Sequence, residues 1–382
     1  RMSVGRVVFD KCGRARLPET AAQYSSALAQ NSTSRSSIPG NSTWGYARLS
    51  EKAKLPLRLP GEGCHEYHNS FIQLPYKNRM DNQRVLVTGG AGFIGSNLAN
   101  YLAENNEVIA VDDCYLGTPD NLTSGVTFVN ASVVDEGLPT DVDVVFHFAA
   151  LSSYKMHEED PAQGARINVE GFVNTIEQAR QDGCDTVVYA TTSSIYGNRT
   201  EPSPETIDVE ARTGYEASKL ARERYAEYFH NFHEMTLAGM RFFSVYQGFG
   251  GAEKHKGEFA NTVAQFTDKI ANGDRPELFG DGTQTRDFTH VVDVVRACEL
   301  AADHELQGIY NVGTEESYSF NTMVKMINDE LGTDVEPKYI ENPLDEYVHD
   351  TMADYSKLHE ATGWEPSISF EEGVSRVCEP YQ

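Results

Sequence analysis

The sequence predicts an α/β fold: a doubly wound parallel sheet followed by a smaller C-terminal α/β lobe. Three observations carry that expectation. Between residues 84 and 113 an apolar run, a glycine cluster, an amphipathic stretch and a second apolar run follow without interruption. From residue 84 to about 246 short apolar runs keep alternating with stretches of helical period, as in a parallel sheet crossed by helices. After Gln247 the alternation breaks, and short strand-like runs mix irregularly with helical ones.

The first stretch is the most informative. Val85, Leu86 and Val87 predict a buried strand, and glycines 89, 90, 92 and 95 follow at once. Phe93, Ile94, Leu98 and Leu102 then recur at spacings that give a helix one apolar face. A second strand, 108–111, ends in Asp112 and Asp113. Strand, glycine turn, helix, strand and acid is the order of a dinucleotide-binding unit. Glycines allow a tight turn and let backbone N–H groups approach a pyrophosphate at the helix N-terminus. Asp112 would accept hydrogen bonds from the adenosine ribose and repel a 2′-phosphate, which favours NAD over NADP.

Further strands are expected at 126–129, 142–149, 186–191 and 236–243, with helices clearest at 93–105, 166–181 and 216–233. Beyond Gln247 short strands are expected at 309–312 and 336–340, and helices near 258–272, 291–303 and 319–331. The chain so divides into 1–79, 80–246 and 247–382. The last part is expected to interleave partly with the second and to close over a cleft.

Of the 382 residues, the first 79 carry 12 Lys+Arg and 5 Asp+Glu, a net of +7; the rest carry 20 and 52, a net of −32. So acidic a body should repel nucleic acid and anionic membranes. Its acids are spread along the chain, as on the surfaces of cytoplasmic proteins from salt-loving organisms, where a Debye length of about 3 Å at 1 M tolerates such crowding. No apolar run is long enough to cross a membrane. Six scattered cysteines show neither CxxC nor metal-like spacing, which suggests free thiols in a reducing, cytoplasmic compartment and no metal. Residues 1–79 lack sustained periodicity and are rich in Ser, Asn and Arg around 30–42, a composition that buries little surface. Arg and Ser with few acids also allow a targeting peptide, although no clear apolar core or cleavage pattern stands out. Met80 is read as the working start, with 1–79 a disordered extension or translated upstream sequence.

A second constellation lies downstream. The strand at 186–191 runs into a row of hydroxyls, Thr191 to Ser194, and Tyr215 and Lys219 follow at the start of a helix. Four residues apart, they share one helix face. An ammonium beside a phenol stabilises the phenolate and lowers its pKa from roughly 10. Such a tyrosine serves as a base near neutral pH, with Thr192 sharing or relaying the proton.

With these motifs on the page, residues 80–382 resemble the NAD-dependent epimerase/dehydratase family of extended short-chain dehydrogenase/reductases, with a Rossmann-like sheet. The resemblance rests on Thr88 to Gly95, His147 to Ala150, Asn168-Val169, Thr192 to Gly197, and Tyr215 with Lys219. Arg286-Asp287-Phe288, Tyr310 to Gly313 and Gly363-Trp364 extend it. It implies that Gly89, Gly92, Phe93, Ile94 and Gly95 hold the NAD pyrophosphate, and that Asp112 binds the ribose. Ser132 and Val133 would border the adenine. Phe148, Ala149 and Ala150 would line the cofactor, with Asn168 nearby, and Lys219 would bond the nicotinamide ribose alongside Tyr215. His147 would be structural.

Family members that dehydrate or decarboxylate nucleotide sugars generally carry a Glu, often after an Asp, where this chain has Ser194 and Ser193. Elimination needs a second proton donor and acceptor; 4-epimerisation needs only hydride removal and return. The resemblance therefore implies a 4-epimerase of the UDP-glucose/UDP-galactose type, with Tyr215, Thr192 and Lys219 catalytic. Ser244, Phe259 and Arg286, together with Thr192, would contact the nucleotide-diphosphate sugar. Action on another sugar carbon or nucleotide, and a non-catalytic NAD-binding protein, are the competing readings. The chain departs from the family at Ser244 (commonly Asn), Gln247 and Glu315 (commonly Gly), and Leu344 (often Arg). Helices 166–181 and 216–233 would form the faces of a homodimer.

Overall fold

The structure, a computed structural model, describes residues 80–342 and 347–382. The expectations for residues 1–79 and for Leu344 lie outside the described residues. The first half contains β1 (Arg84–Thr88), α1 (Phe93–Leu102), β2 (Glu107–Asp112), β3 (Val126–Asn130) and β4 (Val144–His147). It continues through α2 (Tyr154–Glu159), α3 (Pro161–Ala165), a π-turn (Arg166–Glu170) and α4 (Gly171–Asp182). Then come β5 (Thr186–Ala190), α5 (Gly214–His233) and β6 (Thr236–Phe242). The second half adds α6 (Thr262–Ala271), β7 (Glu277–Phe279), β8 (Thr285–Arg286), α7 (Val291–Asp303) and β9 (Gly308–Val312). Last are β10 (Tyr318–Ser319), α8 (Phe320–Leu331), β11 (Lys338–Ile340), α9 (Ser356–Thr362) and α10 (Phe370–Cys378).

Seven strands make one parallel sheet in the order β3-β2-β1-β4-β5-β6-β9. The chain builds outward from β1 to β3 and then returns to the other side of β1 with β4. That reversal opens a crevice at the carboxyl ends of β1 and β4, where ligands bind in such sheets. Alternate residues of one strand face opposite layers: Val85 and Val87 pack under α1 and α7, while Leu86 packs with Phe172 and Ile176 of α4. With both faces covered, the strands are continuous apolar runs. A third core joins Tyr246, Phe266, Phe288, Phe320 and Phe370 beneath α6, α8 and α10.

Three boundaries differ from expectation. The strand expected at 142–149 spans only residues 144–147; Phe148, Ala149 and Ala150 after it line the cleft. The helix expected from 166 opens with a turn of π-helix before α4. The helix expected from 258 begins at Thr262, capped by the Asn261 side chain; residues 254–259 form 3₁₀ turns broken at Gly257, whose φ is 52°.

A buried polar network ties the sheet to α5. Glu223 accepts from Thr191 Oγ1 at 2.7 Å and from the Arg241 guanidinium at 3.0 and 2.7 Å. Arg241 also donates to Tyr196 Oη at 2.7 Å, and Tyr196 donates to Asn311 Oδ1 at 2.8 Å. Four segments are thereby fixed: α5, β6, β9 and the loop after β5. Removing one partner of a buried ion pair strands the other charge, which costs about 3–5 kcal/mol. Glu223→Ala should lower unfolding stability by that amount in urea titration, and the Glu223→Ala/Arg241→Met double variant should recover part of it. A single variant within about 1 kcal/mol of the parent would refute this account.

Candidate active site

The crevice widens into a cleft of about 500 Å³. Its floor at one end is the turn between β1 and α1. Gly89 has φ 66°, and a Cβ there would lie 2.6 Å from the Ala149 nitrogen. A Cβ on Gly95 would lie 2.1 Å from the Gly89 carbonyl oxygen. Only glycine fits either place, so the turn lies flat against β4 and leads straight into α1. No side chain caps α1, and its first-turn N–H groups have no intrahelical acceptors. Phe93, Ile94, Gly92 and Gly95 all line the cleft. At the end of β2, Asp112 accepts from the Ala91 and Cys114 N–H groups at 3.1 and 2.8 Å. Burial lifts its pKa above the usual carboxylate value.

The cradle and the acid sit together, as a dinucleotide requires. Val133, Phe148, Ala149 and Ala150 also line the cleft, and so do Thr192, Tyr215, Lys219, Ser244 and Arg286. Ser132, Asn168 and Phe259 do not. Asn168 is fully buried; its amide bonds both polar groups of Leu151, His157 Nε2 and Ser218 Oγ. It therefore locks the wall behind the cleft without facing it. His147 is also buried, 3.1 Å from Thr88 Oγ1, and desolvation drops its pKa well below the ordinary value.

At the other end Tyr215 meets the Thr192 hydroxyl, which lies 3.0 Å from Ser194 Oγ. The ammonium of Lys219 lies 5.8 Å from the Tyr215 ring centroid and donates to the Ala190 carbonyl at 3.2 Å. One expectation needs correction here. Burial raises the phenol's pKa, and the opposing influences are the Thr192 hydroxyl and the charge of Arg222, not Lys219. Lys219 is itself buried, and desolvation with the Arg222 charge pulls its pKa well below the lysine value. Arg222 lies one turn beyond Lys219 on α5 and is the residue that sequence patterning missed, since a charge on an amphipathic helix is ordinarily taken as solvent-facing.

On the opposite wall Arg286 donates to the carbonyls of Thr285, Val348 and His349 and lies against the rings of Tyr347 and Phe320. Ser244 has φ 25°, a conformation non-glycine residues seldom adopt and one that gathers at functional sites. Glu315 has φ 61°, and its N–H donates to Asp287.

The profile of the NAD dependent epimerase/dehydratase family matches residues 85–313. The chain belongs to this family. It is 33% identical over 310 residues to UDP-glucose 4-epimerase of Mycolicibacterium smegmatis, a match covering 78% of this chain and 97% of that protein. The crystal structure of UDP-glucose 4-epimerase with UDP-glucose from Thermotoga maritima superposes with a TM-score of 0.72 at 32% identity, covering 78% of this chain and 97% of that one. UDP-glucuronic acid decarboxylase 6 of Arabidopsis thaliana is 28% identical over 313 residues, 79% of this chain and 89% of that protein. NAD is the family's cofactor, and the glycine cradle with Asp112 fits it. Gly95→Ala should leave the circular dichroism spectrum intact and weaken NAD binding about tenfold or more in calorimetric titration, because the added Cβ pushes the Gly89 carbonyl and the turn out of place. Unchanged affinity would remove the turn from the cofactor site.

Proposed function

We propose that the chain is a nucleotide-sugar 4-epimerase of the UDP-glucose/UDP-galactose type. One observation carries this reading within the family. The only carboxylates among the described cleft-lining residues are Asp112 and Asp113, at the end of β2. Among the described cleft-lining residues, those near Tyr215 carry hydroxyls, from Thr192, Ser193 and Ser194, and none is an acid. A dehydration would have to give a proton to the leaving hydroxyl and take another from the neighbouring carbon. Inversion at C4 asks for one proton site, which Tyr215 supplies.

In this reading the Tyr215 phenolate accepts the C4 hydroxyl proton and returns it after the configuration has inverted. Thr192 positions that hydroxyl, and Ser194 orients Thr192 through their 3.0 Å contact. Lys219 and Tyr215 hold the nicotinamide ribose. Bound NAD supplies the hydride acceptor and donor that interconverting two C4 epimers requires. Arg286, Ser244 and Phe259 are assigned to the nucleotide-diphosphate end of the substrate, where the planar guanidinium suits phosphate oxygens. Val133, with Ser132 beside it, is assigned to the adenine.

Purified protein given UDP-glucose should form UDP-galactose, and Tyr215→Phe should lower kcat by roughly 10²–10⁴ while keeping NAD bound. No UDP-galactose, but turnover of another sugar in a panel of UDP-, GDP- and dTDP-sugars, would move the assignment within the family. The base must be ionised, so activity falls as pH drops below the pKa of Tyr215. Thr192→Val removes a group that lowers this pKa, so the acid limb of the kcat/KM profile should move to higher pH. An unmoved limb would deny Thr192 this role.

The same reading places helices 166–181 and 216–233 at a homodimer interface. Tyr225, Tyr228 and Phe232 of α5 are 42, 44 and 73% exposed and fall on one helix face. Light scattering should give twice the chain mass, and Phe232→Glu should return it to one.

A further inference from the structure

Between β6 and α6, residues 247–259 cross from the second half of the chain to the dinucleotide unit. Their shape is set from inside: the fully buried Glu253 carboxylate accepts from the Gln247 and Gly248 N–H groups, each at 3.0 Å, and from that of Asn261. Three ties fasten the segment outward. Gln247 and Asn97 of α1 exchange reciprocal amide bonds of 3.0 and 2.9 Å. Asn121 donates both to the Ala91 carbonyl of the glycine turn and to His255 Nδ1, at 3.0 Å each. Lys155 of α2 pairs with Glu258 at 2.6 Å.

This clasp presents Lys256 to the cleft, where it lines the wall with Gly92 and Phe93. Its ammonium stands 5.5 Å from the centroid of the Phe93 ring, at the first residue of α1. Among the described residues no carboxylate lies within 4 Å of it, and desolvation pulls its pKa below the lysine value against the more distant Glu253 charge. A lysine beside the positive end of a helix dipole is repelled by it, and loses hydration as well. Both disfavoured features turn favourable when an anion sits between them. The Gln247–Asn97 pair holds this arrangement.

We propose that residues 247–259 are a fixed clasp over the dinucleotide and that Lys256 is its pyrophosphate counter-charge. The contact adds a side-chain cation to the backbone donors of α1 and retains NAD. The inference rests on the family's cofactor and not on the epimerase reading, so either can fail alone.

Nucleotide-free full-length protein would be titrated with NAD⁺ and, after loading with NAD⁺, with UDP. Lys256→Met should weaken NAD⁺ about ten- to hundredfold, the range of one charge-assisted hydrogen bond, and leave UDP unchanged. Lys256→Arg should restore most of the affinity, and Lys254→Met, on the exposed side of the same turn, should have no effect. Parental NAD⁺ affinity in Lys256→Met, or a loss confined to UDP, would overturn the proposal. Should that variant not fold, Lys256→Gln decides by the same two titrations.

Discussion

The Arg222 guanidinium is fully buried and donates to three carbonyls: Asn168 at 2.6 Å, Ala149 at 2.7 Å and Ala190 at 3.4 Å. These carbonyls belong to the π-turn, the segment after β4 and the end of β5, so one rigid side chain joins three walls of the cleft to the helix carrying Tyr215 and Lys219. Among the described residues no carboxylate lies within 4 Å of it, and burial brings its pKa down to about 10. A planar group with five fixed donors can be held by carbonyl dipoles alone where an ammonium would be less well matched. Its charge then acts on everything nearby: it opposes protonation of Lys219 and His147 and favours ionisation of Tyr215. Tyr215 and Lys219 therefore both feel the charge of a third residue beneath them.

This arrangement explains which parts of the site the sequence could show. The β1–α1–β2 unit is legible because its constraints are local: Gly89 and Gly95 are forced by contacts within the turn and with β4, and α1 follows at once. Tyr215 and Lys219 are legible because four residues make one helix turn. Arg222 is not legible, because its role depends on carbonyls 32 to 73 positions away in the chain, which periodicity cannot register. The expected lowering of the Tyr215 pKa by Lys219 failed for a related reason. Helical spacing puts the two on one face but says nothing of the Ala190 carbonyl that draws the ammonium toward the strand end. The motif around Asn168 points to a cofactor neighbour, and the bonds of its side chain to Leu151, His157 and Ser218 come from residues that the motif does not contain.

The segment 247–259 was the least legible stretch. Its sequence predicts a helix from 258, yet Gly257, the buried Glu253 carboxylate and the Asn261 cap hold it as a turn. Its three ties reach Asn97, Asn121 and Lys155, each more than 100 residues earlier. The sequence departs from the family pattern at Gln247 and Glu315. In the structure each is accommodated: Gln247 by an amide pair with α1, Glu315 by the buried Asp287 carboxylate that receives its N–H.

The distribution of charge completes the physical picture. The described body is strongly acidic, yet Lys219, Arg222, Lys256 and Arg286 stand in or beneath the cleft without a carboxylate in ion-pair range among the described residues. Surface acids act through water and salt, and their repulsion of an anionic nucleotide is screened beyond about 8 Å at 0.15 M and still sooner at higher ionic strength. Cations in the cleft act across a few ångströms of low dielectric and are screened far less. The two sets therefore respond differently to salt: the surface loses its repulsion while the cleft keeps its attraction. A chain with a large net negative charge can thus hold diphosphates, provided its few cations are desolvated where the phosphates lie. The gathering of these lysines and arginines at the cleft meets that condition.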